Sequence, residues 1–459
     1  DISKGEKIYM KKIEFKSMLV SIILVLIIYY FYTPSLNIHA IEFWIFIIVA
    51  LCIYGASTSY STLLGKRFKP EKVGYLGAAV ALIVAGVLVT DLFTSKIFHA
   101  SRYASRIEVE NVKFNNKTLH EVDFSKTPII DRKSTVKLGD KVMGEIPEYV
   151  SQFEVSDDYT QISYKNSVYR VTPLEYASFF KYLTNSKNGI PAYITVNSTN
   201  GKAEIVKLKD LGLNGMKYVP SAILNHNLNR KLQLSYPTSI FGSPSFEVDE
   251  KGHPWYVCTT YTYFGVSNKK KVTGAVLFDP ITGKSKKYDK DKVPKWVDRV
   301  YPEELIMTEI DENGSLQDGF FNSVLGQKNV TVTSKGYNYL EKDGDIWIYS
   351  GITSANKDSS NLGFVLSNLR THQTLRFSCS GANEKAAMKS AEGEVKNYGY
   401  DATFPLLVNV GGHPVYLISL KDSGGLIKQY AMVDAKDYQK VSVYSADSVK
   451  NLELLKKLS

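Results

Sequence analysis

Cysteine is scarce in this sequence, because the 459 residues include only Cys52, Cys258 and Cys379. Small secreted domains that lack a large hydrophobic core usually depend on several disulfide bonds, so this number excludes a disulfide-rich scaffold. Cys52 lies in a long apolar run. Cys258 and Cys379 lie in later, strand-like segments, and their spacing leaves open whether they pair.

Recognisable catalytic motifs are also absent: the sequence has no Gly-x-Ser-x-Gly and no His-Glu-x-x-His. Gly283-Lys284-Ser285 resembles the end of a phosphate-binding loop, but Phe278 stands where that loop needs glycine, so we interpret it as a hairpin turn. The stretch Asp311–Ser315 lacks the glutamate of a calcium loop, and its Asn-Gly pair favours another hairpin turn. The sequence therefore predicts no cofactor and no metal site.

Charged residues are nearly missing from three stretches close to the N-terminus. These stretches are residues 17–32, 38–54 and 73–93. A helix of roughly 20 apolar residues crosses the hydrocarbon core of a bilayer, so we expect a three-helix transmembrane module over residues 10–93. Glu42 and Asp91 lie near the ends of their stretches, which disfavours a channel or a transporter.

The orientation of this module is predicted from the lysine and arginine residues beside it. Lysines precede the first stretch, the loop 33–40 contains no lysine or arginine, and the next loop is basic through Lys66, Arg67, Lys69 and Lys72. Short basic loops stay in the cytoplasm, so we predict a multi-pass protein of the cell membrane. Its N-terminus is cytoplasmic, and everything after residue 93 is extracytoplasmic.

Small residues recur along one face of the third stretch, at Gly74, Ala78, Ala81 and Ala85. Small side chains let helices approach closely in lipid. The stripe therefore predicts packing against the first two helices, or against a second copy of the chain in a homo-oligomer.

Residues 1–9 stand before Met10-Lys11-Lys12, which is typical of a bacterial start. The residues Lys4-Gly5-Glu6 correspond to a purine-rich codon run of the kind that forms a ribosome-binding site. We therefore expect residues 1–9 to be a mistranslated leader or a tail.

The rest of the chain alternates apolar and polar residues and is rich in tyrosine, which predicts a strand-rich α+β domain. We expect a stalk and first strands over 94–150, with strands at residues 107–114 and 134–142. Further modules are expected over 151–240, 241–345 and 346–445, followed by a C-terminal helix or tail over 446–459.

Three parts of this domain share a pattern, in which a helical stretch is followed by strand, turn and strand with Gly-x-Pro-x-Tyr at the turn. The predicted helices are Leu174–Leu183, Ser221–Leu234 and Glu384–Tyr398. Glycine supplies an unusual φ and proline fixes the next turn position, so each signature predicts a turn before a tyrosine-containing strand.

Two of these motifs resemble the PepSY family of small extracytoplasmic modules. The matching residues are Pro254-Trp255-Tyr256-Val257 and Asp279-Pro280-Ile281-Thr282-Gly283. Pro414-Val415-Tyr416-Leu417 with Asp434 matches in part, because Tyr438 replaces the Thr-Gly turn. The resemblance implies a helix packed on an antiparallel sheet, and a non-catalytic inhibitory or protein-binding role in the cell envelope.

Candidate partner-binding residues lie in two segments. The run Lys269, Lys270 and Lys271 predicts either contact with an anionic wall polymer or a solvated loop. Trp296 and Tyr301, in an aromatic and charged segment, predict either an anchor for a partner or a plug in the core between two modules.

The function expected from these patterns is that of a non-enzymatic, membrane-anchored scaffold or assembly factor. We attribute the net charge of +10 to basic loops and a solvated surface. The expected partners are the lipid bilayer and an envelope protein or an anionic wall polymer, and no nucleic acid. The alternative is an envelope hydrolase or oxidoreductase, in which Cys258, Cys379, His253 and His413 would converge in one site.

Overall fold

The computed structural model describes residues 4–64, 70–124 and 126–446. Residues 1–3 of the expected leader and residues 447–459 of the expected C-terminal helix or tail lie outside the described residues. The chain forms two compact units. The first comprises Asp1–Phe98, Ile223–Gly242 and Thr260–Lys271, and the second comprises His99–Ala222, Ser243–Thr259 and Val272–Ser459.

The first unit contains the predicted membrane helices α1 (Lys4–Tyr32), α2 (Ile41–Leu64) and α3 (Pro70–Phe93). Among the described residues, these three helices are long and apolar enough to cross a membrane. α1 packs on α2, and α2 packs on α3. The half-buried face of α3 includes Leu76, Ile83 and Val87, whereas the stripe from Gly74 to Ala85 is exposed. The prediction that this stripe packs against the first two helices is therefore wrong, because the larger side chains make that contact.

One end of the helical bundle contacts two later connections of the chain in the same unit. The N–H of Leu36, in the loop after α1, donates to the carbonyl of Pro237 at 2.7 Å. The carboxylate of Asp91, near the end of α3, accepts the N–H of Val266 at 3.0 Å. The loop between α1 and α2 and the C-terminal end of α3 thus lie at the same end of the bundle.

The elements α4 (Lys96–Ala104) and β1 (Val109–Asn111) follow the membrane helices. After them, the described chain forms four successive structural repeats of similar plan, which we number 1 to 4. Each begins with a helix and continues with a first strand in two pieces and three further strands. Repeat 1 contains α5 (Arg132–Gly144), α6 (Pro147–Val150), β2 (Phe153–Val155), β3 (Thr160–Tyr164), β4 (Ser167–Tyr176), α7 (Phe179–Asn185), β5 (Ala192–Asn197) and β6 (Ala203–Lys207).

The other repeats have the same order of leading helix and strands. Repeat 2 contains α8 (Leu228–Ser235), β7 (Ile240–Phe241), β8 (Ser245–Val248), β9 (Pro254–Phe264), β10 (Asn268–Phe278) and β11 (Ser285–Asp289). Repeat 3 contains α9 (Glu303–Leu316), β12 (Thr331–Thr333), β13 (Asn338–Lys342), β14 (Asp345–Ser354), β15 (Lys357–Asn368) and β16 (Thr374–Ala382). Repeat 4 contains α10 (Glu384–Glu394), β17 (Asp401–Ala402), β18 (Leu406–Val410), β19 (His413–Lys421), β20 (Ile427–Asp434) and β21 (Val441–Ser445).

Every repeat forms an antiparallel meander. Both pieces of the first strand pair with the second strand, which pairs with the third, which in turn pairs with the fourth. In repeat 1, for example, β2 and β3 both pair with β4. The strand β1 adds to repeat 3 as a parallel neighbour of β16.

The turn between the third and fourth strands is closed in the same way in all four repeats. It starts with Asn197, Asp279, Asn368 or Asp434. In each case a side-chain oxygen accepts the N–H groups two and three residues further on. This hydrogen bonding defines an Asx turn, which holds the chain reversal locally. Its recurrence at one position in four meanders shows that the repeats share a structural plan.

Two sequence predictions for the first repeat are wrong. Residues 134–142, predicted as a strand, belong to α5, which Asp131 caps by accepting the N–H of Lys133. The buried residues Thr135, Gly139 and Met143 recur every four positions, so burial follows the helical period and not the alternation of a strand. The helix predicted over residues 174–183 starts later in the structure, where α7 begins at Phe179, because residues 174–176 are the end of β4.

The repeat pattern in the sequence was also incomplete. It missed repeat 3 and took α7 for the leading helix of repeat 1, a position that α5 occupies. The Asn-Gly hairpin predicted at residues 311–315 is wrong, because these residues lie inside α9. Ile306 and Ile310 are buried along that helix, and Asp311 accepts the N–H of Thr333. Tertiary contacts therefore override the local turn preference.

The main hydrophobic core joins repeats 3 and 4. Phe364 is fully buried, and its ring lies 5.5 Å from that of Phe377 and 5.7 Å from that of Tyr416. Ala387 and Ala391 of α10 are buried in the same core. Tyrosine and phenylalanine thus fill the space between sheet and helix.

Candidate partner-binding pocket

Tyr301 and Trp296, the predicted aromatic anchors, lie in different environments. Tyr301 is 5% exposed, and its ring stacks on His372 at 4.2 Å. Its N–H donates to the carbonyl of Leu369 at 2.8 Å. Tyr301 is therefore buried, and its ring and its N–H contact residues of the turn after β15. Trp296 is half-buried, and its ring lies 6.0 Å from that of Trp255.

The predicted lysine run lies at the start of β10, within the first unit. The ammonium group of Lys270 lies 4.0 Å from the centre of the Tyr261 ring, and that of Lys269 lies 5.5 Å from the Phe264 ring. Lys271 is exposed. Aromatic rings and lysine side chains together are typical of groups at a membrane surface.

The residues of the alternative enzymatic prediction do not form a reactive thiol site. Cys258 and Cys379 are free and buried, at 0% and 4% exposure. Burial raises the pKa of both thiols, which disfavours the thiolate that a nucleophile requires. Nε2 of His253 lies 3.4 Å from a carboxylate oxygen of Asp279, whereas His413 is exposed at the start of β19.

Metal binding finds no support in the part of the chain that the structure describes. No group of three or more His, Cys, Asp and Glu side chains there is arranged to hold a metal ion. A protein metal site usually needs at least three such ligands.

A cavity of about 480 Å³ opens in the second unit, where repeats 1, 3 and 4 meet the segment that precedes α5. This volume is within the usual range of ligand pockets. The cavity is lined by residues 119–123, 126–128, 163, 166–167, 340–341, 343–344 and 406–409. None of the residues predicted from the sequence lies in it.

The floor of the pocket is mostly apolar. Its buried lining residues are aliphatic or proline, at Leu119, Val122, Pro128, Leu340, Leu406, Leu407 and Val408, together with the polar residues Thr127 and Asn409. These residues come from β13, β18 and the segment before α5, which are far apart in sequence. An apolar floor of this kind suits an apolar side chain of a ligand.

The rim of the pocket is mostly acidic. Its acidic side chains are Glu121, Asp123, Glu341 and Asp343, and its basic side chains are Lys126 and His120. Nε2 of His120 lies 2.8 Å from a carboxylate oxygen of Asp343. Hydrogen bonds from Lys342 and His120 lower the pKa of the Asp343 carboxyl, so this group is negatively charged near neutral pH.

Asn409 of β18 connects the pocket floor to the segment before α5. Its side-chain nitrogen donates to the carbonyl of Leu119 at 2.8 Å and to the side chain of Asn116 at 2.7 Å. Its side-chain oxygen accepts the N–H of Gly412, and its carbonyl accepts the N–H of Val122. Asn409 is fully buried, so these bonds hold the pocket wall without competition from water.

Tight turns between the first and second strands place the side chains of Asn166 and Asp343 at the rim. Lys165-Asn166 in repeat 1 and Asp343-Gly344 in repeat 3 all have positive φ, between 48° and 81°. Two-residue turns with positive φ at both positions join hairpin strands closely. The Asp-Gly pair at residues 343–344 is a sequence signal for such a hairpin, and it could have located one side of the pocket.

The comparisons with known proteins leave the family of this chain open. No protein-family model matches the chain, and no curated protein matches it. A crystal structure of an ACO/RPE65 chimera aligns with 63% of this chain at 9% sequence identity, with a TM-score of 0.15. The aligned part spans 48% of the chimera, and a TM-score this low carries no argument about the fold.

Proposed function

We propose that this protein is a membrane-anchored binding protein of the cell envelope. Three helices hold it in the cell membrane with the N-terminus in the cytoplasm, and the strand-rich domain lies outside. The domain acts as a non-enzymatic scaffold or assembly factor, and its pocket binds a polypeptide segment of another envelope protein. The observation that carries this proposal is the pocket with an apolar floor and an acidic rim.

The charges of the rim favour a protein partner over an anionic wall polymer. The carboxylates of Glu121, Asp123, Glu341 and Asp343 repel phosphate groups, whereas they attract lysine and arginine. The floor accepts one apolar side chain or a short apolar stretch. The segment that fits best therefore has an apolar residue flanked by basic residues.

The resemblance to PepSY modules supports the same class of function. The repeat that contains Pro254–Val257 and Asp279–Gly283 forms an antiparallel meander. The Asx turn at Asp279 recurs in the other three repeats. A non-catalytic binding role is what this resemblance implies for the domain.

Photo-crosslinking from the rim tests the proposal. A benzophenone amino acid replaces Asn166 or Glu341 in the full chain, in native membranes, and Lys202 serves as the control position. Lys202 is exposed and lies in the turn between the third and fourth strands of repeat 1. We expect the same protein adduct from Asn166 and Glu341, little from Lys202, and about tenfold less when Asp123 and Asp343 are changed to lysine.

The chemistry of the adduct separates the possible partners. An adduct that proteases remove supports a protein partner, whereas one that only wall-degrading enzymes remove overturns it in favour of a polymer. Equal adducts from Asn166, Glu341 and Lys202 would show that the pocket is not the binding site. Turnover of peptidoglycan or of a peptide by the purified full chain would contradict the non-enzymatic role.

A further inference from the structure

Large apolar side chains are exposed at particular connections of the strand-rich domain. Phe180 and Leu325 are 73% and 79% exposed, among the highest values for apolar residues in the described chain. Other exposed apolar residues of the same connections are Val150, Phe179, Leu183, Phe321, Val324, Tyr398 and Leu426. Exposed apolar groups in clusters mark interaction surfaces, whereas scattered ones do not.

These residues occupy equivalent places in repeats 1, 3 and 4. They lie in the connection from the helix to the first strand, or in the connection from the second to the third strand. In an antiparallel meander both connections lie at the same end of the sheet. We call this end of each repeat its apolar end. The turns that line the pocket join the first and second strands, so they lie at the opposite end.

Hydrogen bonds confirm that the two connections are neighbours. In repeat 1 the side chain of Asn185, in α7, donates to that of Gln152 at 3.0 Å, and the N–H of Ala177 donates to the carbonyl of Gln152. In repeat 3 the N–H of Ala355 donates to the carbonyl of Val330 at 3.1 Å. In repeats 1 and 3 the apolar end is therefore one continuous surface.

In repeat 2 the structure shows what the same two connections contact. Pro237, in the connection to the first strand, accepts the N–H of Leu36. Ser267, in the connection between the second and third strands, donates its N–H to the carbonyl of His39. Leu36 and His39 belong to the loop between α1 and α2. This end of repeat 2 thus contacts the loop that joins the first two membrane helices.

We infer that the apolar ends of repeats 1 and 3 contact a lipid surface, with α7 and residues 321–325 inserted into the interfacial layer of the membrane that holds α1–α3. The lysines Lys181, Lys187 and Lys328 flank the exposed apolar residues and suit anionic headgroups. Because the chain is anchored in the same bilayer, even a weak interfacial contact is favoured by its high effective concentration.

Depth-dependent fluorescence of the full chain tests this inference. The chain is reconstituted in nanodiscs of phosphatidylcholine and phosphatidylglycerol, with the exposed thiol removed by Cys52→Ala, since Cys258 and Cys379 are buried. An environment-sensitive dye is attached to Phe180→Cys, Leu325→Cys or, as the control, Lys202→Cys. The variant without an added cysteine measures background labelling.

We expect blue-shifted emission at positions 180 and 325, and quenching by nitroxide-labelled lipids several-fold stronger than at position 202. Water-like emission at 180 and 325, equal to that at 202, would overturn the inference. Blue-shifted emission without quenching by the lipid nitroxides would also overturn it, because the apolar ends would then contact protein, such as a second copy. Since these positions lie at the end of each repeat opposite the pocket, the result is independent of the crosslinking from Asn166.

Discussion

Replacing Asn409 with alanine should lower the free energy of unfolding of the strand-rich domain by about 2–3 kcal/mol and weaken crosslinking from Glu341 about tenfold. The buried side chain makes three hydrogen bonds, to Asn116, Leu119 and Gly412. The substitution leaves the buried carbonyl of Leu119 without this donor, and an unpaired buried polar group costs about 1–3 kcal/mol.

The second effect of this substitution follows from the position of Asn409 in the pocket. Its side chain holds residues 116–119 against β18, and both sides line or border the cavity. Without these side-chain bonds, residues 116–119 are held less firmly against β18. Only a fraction of the molecules then has the pocket shape that binds, which weakens the apparent affinity by that fraction.

The measurement is urea unfolding in detergent micelles, combined with the crosslinking assay in membranes. Asn214→Ala is the matched control, because Asn214 is exposed and lies outside the pocket. It should change stability by less than about 0.5 kcal/mol and leave crosslinking unchanged. If Asn409→Ala unfolds at the same urea concentration as the original chain, Asn409 does not hold the pocket wall.

The strand-rich domain should lose stability as the pH rises from 5 to 8, by about 3 kcal/mol or more. The reason is a buried acidic pair, Glu247 in β8 and Asp298 before α9. Glu247 is fully buried and accepts the N–H groups of Asp298 and Arg299 at 2.8 Å and 3.0 Å. A carboxylate of Asp298 accepts the N–H of Ser163 at 2.9 Å.

Burial raises the pKa of both carboxyls, and the proximity of Glu247 raises that of Asp298 further. An acid with a raised pKa in the folded state binds its proton more tightly there than in the unfolded chain. Its contribution to stability is therefore full below the unfolded pKa, about 4, and is lost as the pH rises through the folded pKa. Glu175 acts in the same direction, because burial raises its pKa to about 7.

Urea unfolding at several pH values, followed by the tryptophan fluorescence of the chain, measures this effect, since one of its four tryptophans, Trp255, pairs with Glu247. Asp298→Asn keeps an acceptor for Ser163 and removes one charge, so it should reduce the pH dependence by about half. Asp289→Asn is the matched control on the exposed end of β11 and should leave it unchanged. A stability that is constant from pH 5 to pH 8 in the original chain would show that the pair is not buried as described.

The two surfaces proposed for this protein lie at opposite ends of the same repeats. The turns between first and second strands supply the pocket rim, whereas the other connections carry the exposed apolar residues. A repeat can therefore face a lipid surface with one end and a protein partner with the other. This division follows from the meander topology, because alternate connections of a meander lie at alternate ends.

The membrane helices and one kind of turn could be predicted from short stretches of the sequence. A run of about 20 uncharged residues needs no other part of the chain to favour a membrane helix. The Asp279–Gly283 turn could be predicted for the same reason, since the Asp279 side chain bonds to N–H groups two and three residues away. Asn368 closes the equivalent turn in repeat 3. The residues after Asn368 lack the Thr-Gly pair, which was the sequence signal for the turn at Asp279.

The sequence by itself thus determined the features that depend on neighbouring residues: three apolar helices, a strand-rich domain and its local turns. Only the tertiary structure decided that residues 134–142 form a helix, that Tyr301 is buried, and that Asn409 meets Leu119. Those outcomes depend on contacts between residues far apart in the chain, whose free energies outweigh local preferences. The pocket belongs to this second group, because residues from 119 to 409 form it together.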